Sequence, residues 1–147
     1  MLCLYEAKKR AGVTGKVICL QHSDHAHDRV MNAGLADHFV VADATNAVEV
    51  LKKIGDVTGD KMCDLVINCV NVPNTEMSSI LATKDDGMVY FFSMATSFTK
   101  AALGAEGVGK DVTMIVGNGY TKGHAEITLQ IMRESAVLRK IYEELYA

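Results

Sequence analysis

Five short segments carry most of the residues with chemistry to offer a ligand: Gln21, His22 and Ser23; Asp43 and Ala44; Cys69, Val70 and Asn71; Ser93 and Met94; and Gly117, Asn118 and Gly119. Three of the five end in small or amide residues, which let a flat ring or a ribose approach the backbone while offering neutral hydrogen bonds. That chemistry suits a nucleotide better than a metal. Two of the segments also have a plainer reading. Gly117-Asn118-Gly119 is equally a turn, since glycine and asparagine supply positive φ at little cost. Asn71 and Asn74, on either side of Pro73, are equally helix caps.

The remaining reactive side chains do not assemble into a metal motif. His22, His25 and His27 form a local cluster, but no cysteine is near and the spacing is not that of a zinc site, so a solvated helix start is the favoured reading. His38 falls at a strand entrance and His124 near the start of the last helix. A proton-transfer role for His124 stays open, because the glycine-rich turn just before it faces a possible ligand. Cys3, Cys19, Cys63 and Cys69 lie in apolar surroundings with no C-x-x-C pair, which reads as buried free thiols in a reducing compartment. No metal site is expected, and no catalytic acid or base is assigned.

The elements that position these segments follow from hydrophobic spacing. Met1 to Gly12 reads as a helix with Lys8, Lys9 and Arg10 in its last turn and glycine just beyond. Lys16 to Gln21 is a short apolar run suited to a strand covered on both faces. Asp24 to Gly34 returns to helical spacing. Phe39 to Ala42 is a strand, Asn46 to Ile54 a helix, Cys63 to Val70 the clearest strand and Asn74 to Leu81 a short helix. After a turn at Asp85, Asp86 and Gly87 come a strand from Met88, a helix from Thr96 to about Ala105, a strand from Val112 to Val116 and one long helix from Thr121 to Leu145. Such alternation predicts an α/β fold, a Rossmann-like doubly wound parallel sheet, because parallel neighbours need crossovers and these are normally helices. The five polar segments are the ones that leave the carboxyl ends of the strands, where ligands of open parallel sheets bind.

Length and composition agree. At 147 residues the chain fits one domain, residues 1–147, with 49% hydrophobic and 22% charged residues, the balance of a folded, soluble protein. The net charge of −3, with lysines and arginines scattered, argues against nucleic acid as a partner. Apolar stretches run about six to eight residues, well short of the roughly 20 that span a bilayer. No membrane partner is expected, and the cytoplasm is the expected location.

Asn71 to Gly107, N-V-P-N-T-E-M-S-S-I-L-A-T-K-D-D-G-M-V-Y-F-F-S-M-A-T-S-F-T-K-A-A-L-G-A-E-G, closely resembles the L-erythro-3,5-diaminohexanoate dehydrogenases, as does G-N-G-Y-T-K-G-H-A at Gly117 to Ala125. The resemblance covers the nucleotide-binding part of those enzymes, relatives of the medium-chain dehydrogenases. It implies NAD-dependent oxidative deamination of 3,5-diaminohexanoate to 5-amino-3-oxohexanoate, a step of lysine fermentation, with a small diamino acid as substrate of the full-length enzyme. By position it implies Gln21, His22 and Ser23 at the adenosine ribose, Cys69, Val70 and Asn71 at the middle of the cofactor, and Ser93, Met94, Gly117 and Asn118 towards the nicotinamide, with Gly119 also among the cofactor-binding residues. NADP stays open beside NAD, since Gln21 stands where an acid normally meets the NAD ribose and Arg29 is not far away.

A Rossmann unit begins with a strand and a G-x-G-x-x-G turn, whereas this sequence opens in what reads as the following helix. Gly12 to Gly15, G-V-T-G, lies after that helix and reads as a stop and a turn. The substrate domain, first strand and phosphate loop are therefore expected upstream of Met1, and the 147 residues alone are expected to be inactive. Two strands would then have open edges, leaving a gap, a rearranged sheet or pairing with another copy. Besides a dehydrogenase fragment, two alternatives stand: a non-catalytic nucleotide- or partner-binding module, and a homo-oligomer joined through open sheet edges.

Overall fold

A computed structural model of the chain describes residues 1–117 and 120–146. Helices and strands alternate: α1 (Leu2–Ala11), β1 (Ile18–Gln21), α2 (His27–Asn32), β2 (His38–Val41), α3 (Ala47–Thr58), β3 (Cys63–Asn68), α4 (Glu76–Leu81), β4 (Thr83–Phe91), α5 (Phe98–Gly107), β5 (Val112–Val116), α6 (His124–Glu134) and α7 (Ala136–Tyr146). All strand pairs are parallel, as the alternation requires, but they form two sheets, β1-β2 and β3-β4-β5. The five strands therefore do not join in one continuous sheet. The chain divides into two compact units, Met1–Val41 with Thr121–Ala147, and Ala42–Tyr120. Among the described residues no helix is long and apolar enough to cross a membrane.

In the first unit Val17, Cys19, Val30, Leu35, Ala36, Ile131 and Leu138 form the core, with Leu4, Tyr5, Phe39 and Tyr142 packed around it. The single helix expected from Thr121 to Leu145 is in fact two. Ser135 adopts an extended conformation after α6, and its Oγ accepts the Leu138 N–H at 3.2 Å. A serine in this role satisfies an orphan donor of a new helix, which offsets the break.

Asp37 ties this unit together. Its carboxylate accepts the Val17 N–H at 2.8 Å and the Lys8 ammonium at 2.6 Å, so the loop before β2 holds both α1 and the approach to β1. The Lys8 hydrogen bond, and then the Val17 amide, keep the Asp37 carboxyl below the usual carboxylate range. A carboxyl whose folded pKa is depressed contributes stability that is present above its unfolded pKa of about 3.9 and lost as pH falls through the folded value. Asp37→Asn is expected to cost about 1 kcal/mol at pH 7. Thermal unfolding of both proteins should show that difference shrinking below about pH 4; a difference constant down to pH 2.5 would contradict it.

In the second unit α3 is capped by Asn46, whose side chain accepts the Glu49 N–H, and stopped by Gly59 in the left-handed region at φ 61°. Ile80, Val89, Phe91, Ala101 and Ala105 form the core between α4, α5 and one face of the sheet. The strand expected from Met88 begins earlier, at Thr83. Cys63 pairs with Thr83 while Leu65 already pairs with Met88, so the Lys84–Asp85–Asp86 turn bulges out within the strand. Gly87 is needed there: a Cβ would lie 2.6 Å from Thr83 Cγ2 and 2.8 Å from the Lys84 carbonyl oxygen.

Strand register places Leu65 and Ile67 on one face with Met88 of β4 and Ile115 of β5. That face is the one opposite the core, and all four side chains are exposed, Leu65 by 50%.

Candidate functional site

The strands of the second unit end level with one another. Asn68 pairs with Phe91 and Phe91 with Val116. The ladder then runs one step further, since the Phe92 N–H reaches the Asn68 carbonyl at 3.0 Å and the Gly117 N–H the Phe91 carbonyl at 2.9 Å. Cys69, Val70 and Asn71, Ser93 and Met94, and Gly117 are thereby brought to one rim of this sheet. Gln21, His22 and Ser23 leave the end of β1 in the first unit, where Gln21 pairs with Val41. Asn118 and Gly119 lie outside the described residues.

The rim offers mostly neutral groups. Cys69 and Asn71 are exposed and Met94 is almost wholly so, at 97%. Ser93 Oγ accepts the Ala95 N–H at 3.1 Å, folding the segment into a local turn. The Val70 N–H is already engaged by Asn68 Oδ1 at 2.9 Å. At Gly117 a Cβ would lie 2.8 Å from the Tyr90 hydroxyl oxygen, so the absent side chain leaves that hydroxyl close against the backbone at the exit of β5. In the first unit Gln21 is exposed, and its side-chain N–H points back to Cys19 Sγ at 3.7 Å. Asp43 accepts both the amide and the hydroxyl of Thr45, at 2.9 and 2.8 Å, in a local turn.

Among the described residues no group of three or more His, Cys, Asp or Glu side chains gathers as a metal-holding set. His27 lies edge-on to Phe39, with centroids 5.1 Å apart, and meets Asp28 at 2.9 Å. The expectation of four buried thiols is corrected. Cys3 and Cys69 are exposed and only Cys19 is fully buried, because Cys69 follows the end of its strand and Cys3 sits in a helix with no buried residues. Burial pushes the Cys19 and Cys63 thiols up, which disfavours the nucleophilic thiolate.

Behind the rim lies a buried polar knot that the hydrophobic spacing did not reveal. Asn68, Thr75, Glu76, Ser78, Ser79 and Thr83 are all buried. The Asn68 side-chain N–H groups reach Thr75 Oγ1 and Ser79 Oγ, each at 2.9 Å. Ser79 Oγ donates to the Thr75 carbonyl and Thr83 Oγ1 to the Ser79 carbonyl, at 3.0 and 2.8 Å. Ser78 Oγ donates to the Ala44 carbonyl at 2.6 Å. The sequence did carry a signal: Thr75, Ser79 and Thr83 recur every four residues, one just before α4, one within it and one just after it.

The alternating parallel architecture with a neutral rim is that of a nucleotide-binding sheet, and comparison with known proteins decides the family. The zinc-binding dehydrogenase family model matches residues 2–134. The chain belongs to that family. Its α/β architecture is the Rossmann-like part of such dehydrogenases. The chain is 58% identical, over 99% of its length, to curated L-erythro-3,5-diaminohexanoate dehydrogenases from Acetoanaerobium sticklandii and Fusobacterium nucleatum. It spans 42% of the length of each of these relatives. A solved structure described as a putative alcohol dehydrogenase from Sinorhizobium meliloti 1021 matches 86% of the chain and 36% of its own, at 19% identity and a TM-score of 0.51, a likeness of fold. The family name implies zinc, but the described residues of this chain do not provide a ligand set for it.

Proposed function

We propose that these 147 residues are the dinucleotide-binding portion of an NAD-dependent 3,5-diaminohexanoate dehydrogenase, a cytoplasmic enzyme of lysine breakdown. The observation that supports this most is identity of 58% across 99% of the chain to two enzymes of that name, which includes every strand exit described above. The residues suit a dinucleotide in part. Neutral exits at Cys69–Asn71, Ser93–Met94 and Gly117 allow close approach by flat rings, and Gln21 offers an amide to ribose hydroxyls. The bound nicotinamide would supply the hydride acceptor, while these residues would orient it and exclude competing contacts. A pyrophosphate needs amides converging at a glycine turn between strand and helix, and neither the exit of β1 nor that of β3 carries such a turn.

Weak binding and no turnover follow for the isolated chain. Calorimetric titration is expected to give a Kd near or above about 1 mM for NAD, equivalent to roughly −4 kcal/mol, with NADP no tighter. Binding undetectable at concentrations well above that would count against the nucleotide reading. Deamination of the diamino acid by these 147 residues alone would count against reading them as only the dinucleotide-binding portion.

A further inference from the structure

We infer that Glu76 is a positioning residue, which spaces the exits of β3 and β4 so that both face the same ligand; this rests on the dinucleotide reading above. Glu76 opens α4 and is only 3% exposed. Burying a carboxylate is costly unless hydrogen bonds meet it, so a position that merely needed a helix former would favour another residue. Its Oε1 accepts the Ser97 N–H at 2.6 Å. Ser97 in turn caps α5, its Oγ accepting the Lys100 N–H at 3.3 Å, and the Lys100 ammonium donates to Asn74 Oδ1.

These bonds close a circuit between two segments, Asn74 and the first residue of α4, Glu76, after β3, and Ser97 with Lys100 in the first turn of α5 after β4. The helices that these segments open, α4 and α5, pack against each other, with Met77 and Ile80 of α4 close to Gly104 of α5. A cavity of about 230 Å³ lies there, lined by Asn74, Glu76, Met77 and Lys100. Alongside that packing, polar links of fixed length hold the two segments, and the exits carrying Asn71 and Ser93 inherit their separation. A single methylene of reach should matter more than the charge.

Glu76→Asp keeps the charge and withdraws the oxygen, whereas Glu76→Gln keeps the reach and an acceptor. NADH affinity, read from amide shifts in an NMR titration at a temperature where circular dichroism shows every variant folded, is expected to stay within about twofold in Glu76→Gln and to weaken about fivefold or more in Glu76→Asp. Exchange of the Ser97 amide, followed by NMR, should quicken in Glu76→Asp alone. Ser97→Pro removes the donor from the other side and should match Glu76→Asp in affinity, which keeps the inference testable where Glu76→Asp fails to fold. Unchanged affinity in Glu76→Asp, or equal loss in Glu76→Gln, overturns it. A wild-type chain that takes no NADH fails the dinucleotide reading instead, and the exchange rates then decide whether Glu76 holds the loop.

Discussion

Phe91→Ala is expected to destabilise the unit Ala42–Tyr120 by about 4 kcal/mol, the scale on which large-to-small changes of a buried aromatic act. Phe91 is fully buried at the end of the central strand, in one cluster with Ile80, Val89, Ala101 and Ala105. Alanines at 101 and 105 already bring α5 close, and they have no side chain to extend into a cavity. Relaxation would require α5 itself to move. Because the Phe91 carbonyl also receives the Gly117 N–H, any such shift would disturb the exit of β5. A urea titration followed by circular dichroism checks this. A loss under about 1.5 kcal/mol would mean that the core collapses freely around the site.

Asn68→Leu should cost about 3 kcal/mol although the branching and the number of heavy atoms are kept, because it strips a partner from three groups at once. The Val70 N–H loses its acceptor, and Thr75 Oγ1 and Ser79 Oγ each lose a donor. Buried polar groups left unpaired carry their full desolvation penalty, whereas replacing both partners with apolar groups of similar shape is far cheaper. Adding Thr75→Val and Ser79→Ala to Asn68→Leu should therefore recover about 1 kcal/mol or more, a coupling measured by comparing the triple variant with the single ones. Strict additivity of the three losses would show that the knot does not act as a unit.

Much of the fold was legible because its signals are local. Val112–Val116 is a run of β-forming residues and lies where the spacing predicts it. The basic last turn of α1 and Gly12, at φ 65°, end that helix as their chemistry requires. Departures arise where a residue's role depends on what lies across the fold. Nothing in the periodicity distinguishes Ser135 inside a helix from Ser135 capping a new one. The turn at Asp85 and Asp86 was visible, but its inclusion within β4 depends on pairing of Thr83 with Cys63.

The candidate site divides in the same way. A parallel sheet puts all its carboxyl ends on one edge, so the grouping of Cys69, Val70, Asn71, Ser93, Met94 and Gly117 followed from strand order alone. Gln21, His22 and Ser23 belong to a different compact unit. Asn68 and Glu76 escaped notice because their importance rests on burial. An asparagine inside an apolar strand and a glutamate in the first turn of a helix are unexceptional until the structure shows them enclosed.

The aliphatic face formed by Leu65, Ile67, Met88 and Ile115 has a practical bearing on handling the molecule. A solvatochromic dye should brighten on it in the native state, before any denaturant is added. Concentrated stocks should cloud first in ammonium sulfate, which strengthens apolar association, and clear in low-salt buffer.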